Sequence, residues 1–117
     1  MIVKKARQYF LGENGPRLNC AQAVIAACRE LFQLPEEAIN AHTGAGGGKA
    51  PNGYCGSLYA ALYILEETRK DKLEECKNFF TTHASALTCK EIRSKRKIPC
   101  VSCVEKATEF LVGVKNK

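Results

Sequence analysis

Four of the seven cysteines in this chain each follow a signal for the start of a helix: Cys20, Cys55, Cys89 and Cys100. Asn19 and Gln22 form an N-cap pattern around the first of them. Thr88 and Glu91 have the spacing of a capping box around the third. The second follows a glycine-rich stretch, and Pro99 precedes the fourth. The same local placement, repeated four times, predicts helices that each begin at a cysteine.

The start of a helix carries unpaired N–H groups and about half a positive charge. Such an end favours thiolate over thiol, and thiolate is the form that binds metals and attacks disulfides. If the four helix starts converge, the fold forms a pocket suited to an anionic sulfur cluster. The pattern therefore indicates redox or metal chemistry.

The whole chain reads as one all-α domain over residues 1–117. No segment alternates as a strand would, so we expect a single-domain bundle of about five to six helices with a Gly-rich loop at residues 43–53. The first helix is predicted over residues 2–11, ended by Gly12, and the second over residues 19–33.

The composition favours a cytoplasmic protein that uses its cysteines chemically. Residues 1–12 lack the apolar stretch of a secretory signal, and no apolar run approaches the roughly 18 residues of a membrane span, so we expect no membrane insertion. Seven cysteines in a reducing compartment favour metal ligation or redox cycling over a disulfide framework. The net charge of +6 suits an acidic partner, and we expect a redox partner protein, with a homo-oligomer left open.

The remaining cysteines divide into two kinds. Cys28 and Cys76 fall mid-helix on apolar stripes and are interpreted as small buried hydrophobic residues. Cys103 forms a Cys-x-x-Cys pair with Cys100, and this pair is the candidate catalytic dithiol. Alternatively, the side chain of Cys103 faces the core beside Val104.

The glycine-rich loop does not match a phosphate-binding pattern, because its spacing fits neither a dinucleotide fingerprint nor a P-loop. We interpret its glycines as allowing main-chain N–H groups to approach the sulfur of Cys55 or a cluster, and the alternative is a merely flexible loop. The candidate cofactor-binding glycines are Gly46, Gly47, Gly48 and Gly56.

Other polar residues are interpreted as structural. His42 and His83 are expected to be hydrogen-bonded structural histidines rather than metal ligands. A basic run at residues 90–97 has no interleaved aromatic residues and suits a solvated helix end, so nucleic-acid binding is not expected.

Several motifs together resemble one known family. They are Asn-Cys-Ala-Gln-Ala-Val at residues 19–24, the loop at 44–48, Cys-Gly-Ser-Leu-Tyr-Ala-Ala-Leu at 55–62, and two later cysteines, Cys89 and Cys100. The family is the redox-active one named for its C…GCAxxG…C…C cysteine pattern. Members usually have Ala and Gly where Ser57 and Ala60 stand here.

The resemblance implies a small helical redox-active protein whose four pattern cysteines are Cys20, Cys55, Cys89 and Cys100. A related domain in a split-Soret-type cytochrome is associated with an iron–sulfur centre, which suggests the same cofactor here. Covalent c-type haem is not expected, because the chain lacks Cys-x-x-Cys-His.

Three hypotheses follow. The first is an iron–sulfur centre, most simply 2Fe–2S, held by the four pattern cysteines for electron transfer or redox sensing. The second is a metal-free dithiol–disulfide protein in which Cys100 attacks and Cys103, or a cysteine brought near by folding, is its partner. The third is a zinc-stapled interaction module. Whether the protein is an enzyme is left open.

Overall fold

The computed structural model describes residues 2–13, 15–46, 49–95 and 97–115. Over these ranges the chain forms seven α-helices and no strand, which confirms the all-α prediction with a count above the expected five to six. The helices are α1 (Ile2–Leu11), α2 (Cys20–Cys28), α3 (Glu37–Ala41), α4 (Gly56–Thr68), α5 (Leu73–Ala84), α6 (Cys89–Lys95) and α7 (Cys100–Lys115). Short 3₁₀ turns precede α4 and α5, at Pro51–Gly53 and Lys70–Lys72.

The predicted ends of the first helix are correct, whereas the second helix is shorter than predicted. Gly12 ends α1 with a φ of 71°, a left-handed conformation that glycine adopts without strain. The α-helix α2 ends at Cys28 instead of continuing to Gln33, which has a φ of 54°. Between these residues the chain continues in hydrogen-bonded turns, with the N–H of Phe32 donating to the carbonyl of Cys28 at 3.0 Å.

The centre of the bundle is formed by α2, α4 and α7, with α1 packed on α2 and α7, and α5 packed on α4 and α7. Almost all of α2 is apolar, so it is buried on most sides rather than along one stripe. The largest fully buried apolar side chains are those of Ile25, Leu58, Ile64, Leu65, Phe80 and Leu111. Among the helices described, none has both the length and the apolar character needed to cross a membrane.

Two lysines of the basic run contact the end of α5. Lys95 donates to the carbonyl of Ser85 at 2.9 Å, and Lys97 donates to that of Thr82 at 3.4 Å. Cations are favourable at the carbonyl end of a helix. The charges of Lys95 and Lys97 therefore stabilise the end of α5. Arg96 of the same run lies outside the described residues.

Candidate functional site: a pocket lined by four thiols

The four cysteines at helix starts converge on one pocket. Three of them, Cys20, Cys89 and Cys100, are the first residues of α2, α6 and α7, and Cys55 immediately precedes α4. All four line a pocket of about 370 Å³. Its other lining residues are Phe10, Arg17, Leu18, Asn19 and Arg93. The folded chain thus brings together cysteines that lie up to eighty positions apart.

A short backbone pairing holds the starts of α4 and α6 side by side. Tyr54 and Thr88 form an isolated antiparallel bridge, and the N–H of Cys55 donates to the carbonyl of Leu87 at 2.9 Å. Because each helix begins just after this pairing, Cys55 and Cys89 reach the same pocket. Glu91 N–H donates to the Thr88 hydroxyl at 3.3 Å, which is the first half of the predicted capping box. The Glu91 carboxylate accepts from the hydroxyl of Thr88, at 2.8 Å, and not from its backbone N–H.

Asn19 organises the start of α2 and joins it to the loop after α3. Its side-chain oxygen accepts from the N–H of Gln22 at 2.8 Å, and the Gln22 side chain accepts from the N–H of Asn19 at 3.1 Å, which completes the predicted capping box. The Asn19 amide also donates to the carbonyls of His42 and Thr43, at 3.0 and 2.9 Å. One side chain therefore determines both where Cys20 lies and where the glycine-rich loop begins.

The glycines make close contacts, although their neighbours differ from the expected one. A Cβ on Gly46 would lie 2.8 Å from the Cβ of Asn19. A Cβ on Gly56 would lie 2.5 Å from the sulfur of Cys20 and 2.7 Å from the carbonyl oxygen of Ala45. The backbone of Gly46 therefore approaches Asn19, and that of Gly56 approaches Cys20. The sequence had instead predicted a close approach to the sulfur of Cys55. Gly47 and Gly48 lie outside the described residues, and cofactor binding by the four glycines stays a prediction.

Cys55 contacts two other thiols. Its side chain is hydrogen-bonded to those of Cys103 and Cys20. The pKa of Cys55 is raised to about 12, first by the hydrogen bond with Cys103 and also by burial, against a lowering by the bond with Cys20. Cys103 is 1% exposed and does not line the pocket, so it reaches Cys55 from the core. Cys20 and Cys100 are partly exposed.

Two arginines in the pocket wall were not singled out by the sequence. Arg93 lies one helical turn after Cys89 on α6, and its guanidinium is hydrogen-bonded to the side chain of Cys100. Burial raises the pKa of Cys89, and the positive charge of Arg93 opposes this rise. The four-residue spacing from Cys89 to Arg93 is the signal that could have separated this arginine from the basic run.

The other arginine, Arg17, is held against α1. Its Nε donates to the carbonyl of Phe10 at 3.2 Å, and its guanidinium carbon lies 5.5 Å from the centre of the Phe10 ring. A guanidinium over an aromatic face is a favourable cation–π contact. Arg17 is thereby oriented along one wall of the pocket although its side chain is exposed.

The thiols as positioned do not fit a single metal ion. In the part of the chain that the structure describes, no three His, Cys, Asp or Glu side chains form a group that could hold one. Structural zinc needs four ligands at tetrahedral distances, about 2.3 Å from the metal for sulfur. Zinc binding by these thiols therefore stays a prediction.

Cys28 and Cys76 do not line the pocket, and both are buried, as predicted. They are 0% and 2% exposed, and burial raises the pKa of each to about 12. Both thiols are neutral near pH 7 and act as small apolar side chains. The ring of His42 is also buried, and its Nδ1 lies 2.8 Å from the carbonyl oxygen of Ala38, as expected for a structural histidine.

Comparison with known proteins agrees with this arrangement of cysteines. Residues 18–114 match the model of a family described as "Putative redox-active protein (C_GCAxxG_C_C)". The chain belongs to this family. The match spans all seven cysteines and most of the chain, and it supports a redox-active protein at the level of the family. Neither a curated protein nor a solved structure matches the chain.

Ser57, which stands in the second motif of the C_GCAxxG_C_C family, is fully buried, and its hydroxyl has no hydrogen-bond partner among the described residues. A buried hydroxyl without a partner costs about 1–3 kcal/mol. We therefore expect Ser57→Ala to increase the free energy of unfolding by about 1 kcal/mol, measured by urea denaturation. Ser94→Ala, at an exposed site in α6, is the control for helix propensity. An equal gain in both variants would contradict the desolvation argument.

Proposed function

We propose that this protein is a dithiol–disulfide exchange protein in which Cys20 is the attacking thiol and Cys55 is its buried partner. The observation that carries the proposal is that both thiols line one pocket and that the backbone of Gly56, next to Cys55, lies against the sulfur of Cys20. The family description, redox-active, supports the same class of chemistry.

The two thiols differ in the way that such an exchange requires. Cys20 is partly exposed and is the first residue of α2, so an incoming disulfide can reach its sulfur. Cys55 is 6% exposed, and its pKa of about 12 keeps it protonated near pH 7. Cys20 therefore reacts first with an incoming disulfide, and Cys55 reacts second.

The exchange balances in electrons and protons. The Cys20 thiolate attacks one sulfur of a substrate disulfide, the S–S bond breaks, and the first substrate thiolate leaves and takes up a proton. Cys55 then loses its proton and attacks the Cys20 sulfur, which releases the second substrate thiol. The substrate gains two electrons and two protons, and the two protein thiols lose them in forming one disulfide. We propose that a dithiol redox partner protein, in the cytoplasm, returns these electrons.

An iron–sulfur centre is a second candidate, favoured by one observation. Four thiols line the same pocket as two guanidinium groups, and cationic groups stabilise an anionic cluster. The described side chains do not form a site for a single metal ion, so no step of the exchange is assigned to a metal. The ligands of an iron–sulfur cluster would be the four pattern cysteines, Cys20, Cys55, Cys89 and Cys100.

The test separates the two candidates. Protein purified without oxygen is analysed for iron and sulfide, equilibrated in glutathione buffers of graded potential, quenched in acid, alkylated and peptide-mapped. We expect one two-electron transition and a linked Cys20–Cys55 peptide, absent in Cys20→Ala and unchanged in Cys28→Ala. Stoichiometric iron and sulfide lost in Cys20→Ala would favour the cluster instead. A disulfide that excludes Cys20 would overturn the proposed pair.

A further inference from the structure

The charge of the thiol pocket is positive. Arg17 and Arg93 lie in its wall, and none of the nine described residues that line it is acidic. In the described part of the chain, all ion pairs of arginine involve Arg69, so neither pocket guanidinium is neutralised by a carboxylate. The pocket wall therefore presents two cations to a ligand.

The two guanidinium groups are held at different parts of the wall. Arg17 is oriented by its bond to the Phe10 carbonyl and by the Phe10 ring. Arg93 is oriented by α6 and by its hydrogen bond with Cys100. Each group has five N–H donors in a planar fork that matches a carboxylate, and these few contacts leave donors available.

The space around the thiols suits a small ligand. The main pocket, at about 370 Å³, is near the lower end of the range for small-molecule sites. A neighbouring cleft of about 330 Å³ shares Arg93 and Cys100 with it and is otherwise lined by Ile92, Ile98 and Pro99. Arg93 thus stands between two recesses and can contact a ligand that extends from one into the other.

We propose that the pocket takes low-molecular-weight disulfides that carry carboxylates, with a guanidinium of Arg17 or Arg93 binding a carboxylate while the S–S bond meets Cys20. This inference rests on the proposed exchange and specifies its substrate. The bond changes are those given above, and the products are two thiols that each keep their carboxylate. Paired opposite charges at the site raise the rate of encounter and orient the disulfide.

The test compares three small disulfides of different charge at the same site. They are dithiodiglycolate with two negative charges, 2-hydroxyethyl disulfide with none, and cystamine with two positive charges. Reduced protein is mixed with each, quenched in acid, and assayed for the Cys20–Cys55 disulfide. Each rate constant is divided by that of 2-mercaptoethanol with the same reagent, because the three disulfides differ in intrinsic reactivity.

At low salt we expect dithiodiglycolate to react roughly tenfold or more faster than cystamine after this correction, with the neutral reagent between them. The difference should shrink as salt is raised. Arg17→Gln and Arg93→Gln should each reduce the preference for the anion several-fold. Arg29→Gln is the control: it also removes one positive charge, but Arg29 follows the C-terminal end of α2, whereas Cys20 is at the N-terminal end. This variant should leave the preference for the anion unchanged.

The outcomes separate this inference from the proposed function. Corrected rates within about twofold of each other, or a preference that Arg29→Gln lowers as much as Arg93→Gln, would overturn the substrate class and leave the exchange intact. If none of the reagents produces a Cys20–Cys55 disulfide, both the exchange and its substrate class are wrong.

Discussion

Gly56→Ala should destabilise the protein and also move the thiol of Cys20 away from that of Cys55. The new methyl group would lie 2.5 Å from the sulfur of Cys20 and 2.7 Å from the carbonyl oxygen of Ala45, closer than real contacts allow. The sulfur can rotate away, but the carbonyl belongs to the backbone of the loop. Forced overpacking of this kind typically costs about 1–3 kcal/mol. We expect a loss at the upper end of that range in urea denaturation, because two elements must move.

The same substitution should reduce formation of the Cys20–Cys55 disulfide, since Cys20 is displaced from its partner. Gly113→Ala is the matched control: Gly113 is exposed in α7, and an added Cβ there meets nothing within 4 Å. Alanine at that site should stabilise the helix by up to about 1 kcal/mol and leave the thiols unaffected. A Gly56→Ala protein with wild-type stability and disulfide yield would show that α4 does not depend on this contact.

Asn19→Ala should give the second large effect. Loss of the cap alone costs about 1 kcal/mol, and the two bonds from the Asn19 amide to the carbonyls of His42 and Thr43 are lost with it. We expect a total loss of roughly 2 kcal/mol in the free energy of unfolding. Hydrogen exchange should become faster in the first turn of α2 and in the loop after α3.

Asn19→Asp separates the two contributions. The carboxylate keeps an acceptor for the N–H of Gln22 and suits the positive end of α2. It cannot donate to the two loop carbonyls, which it would instead repel. We expect the exchange rates in α2 to stay near those of the wild type while those of residues 42–46 increase. Equal protection of the loop in both variants and the wild type would mean that Asn19 does not hold it.

Several features of the site follow from the sequence because they depend on neighbouring residues only. A capping box is a contact between residues three positions apart, so Asn19 and Gln22 predicted the start of α2, and Thr88 and Glu91 predicted that of α6. Gly12 ended α1 as expected for a left-handed position. The burial of Cys28 and Cys76 followed from apolar periodicity along their helices.

The end of α2 and the contacts of the glycines were less predictable. Apolar spacing continues past Cys28, but the α-helix ends there and the chain reaches a left-handed conformation at Gln33, which the apolar pattern does not predict. The glycine-rich composition could not identify which glycines approach a neighbour closely: an added Cβ would meet nothing within 4 Å at Gly44. Gly46 meets Asn19, and Gly56 meets Cys20, because two helices and a loop meet there in space.

The sequence by itself determined the helical class, the helix starts at which the four pocket cysteines stand, and the membership of a redox-active family. Only the tertiary structure decided that Cys103 contacts Cys55 from the core and that Arg17 and Arg93 enter the pocket wall. The physical reason is range. Caps and periodicity act within a few residues, whereas these contacts depend on how α1, α4, α6 and α7 pack, and that packing follows from burial of the whole core.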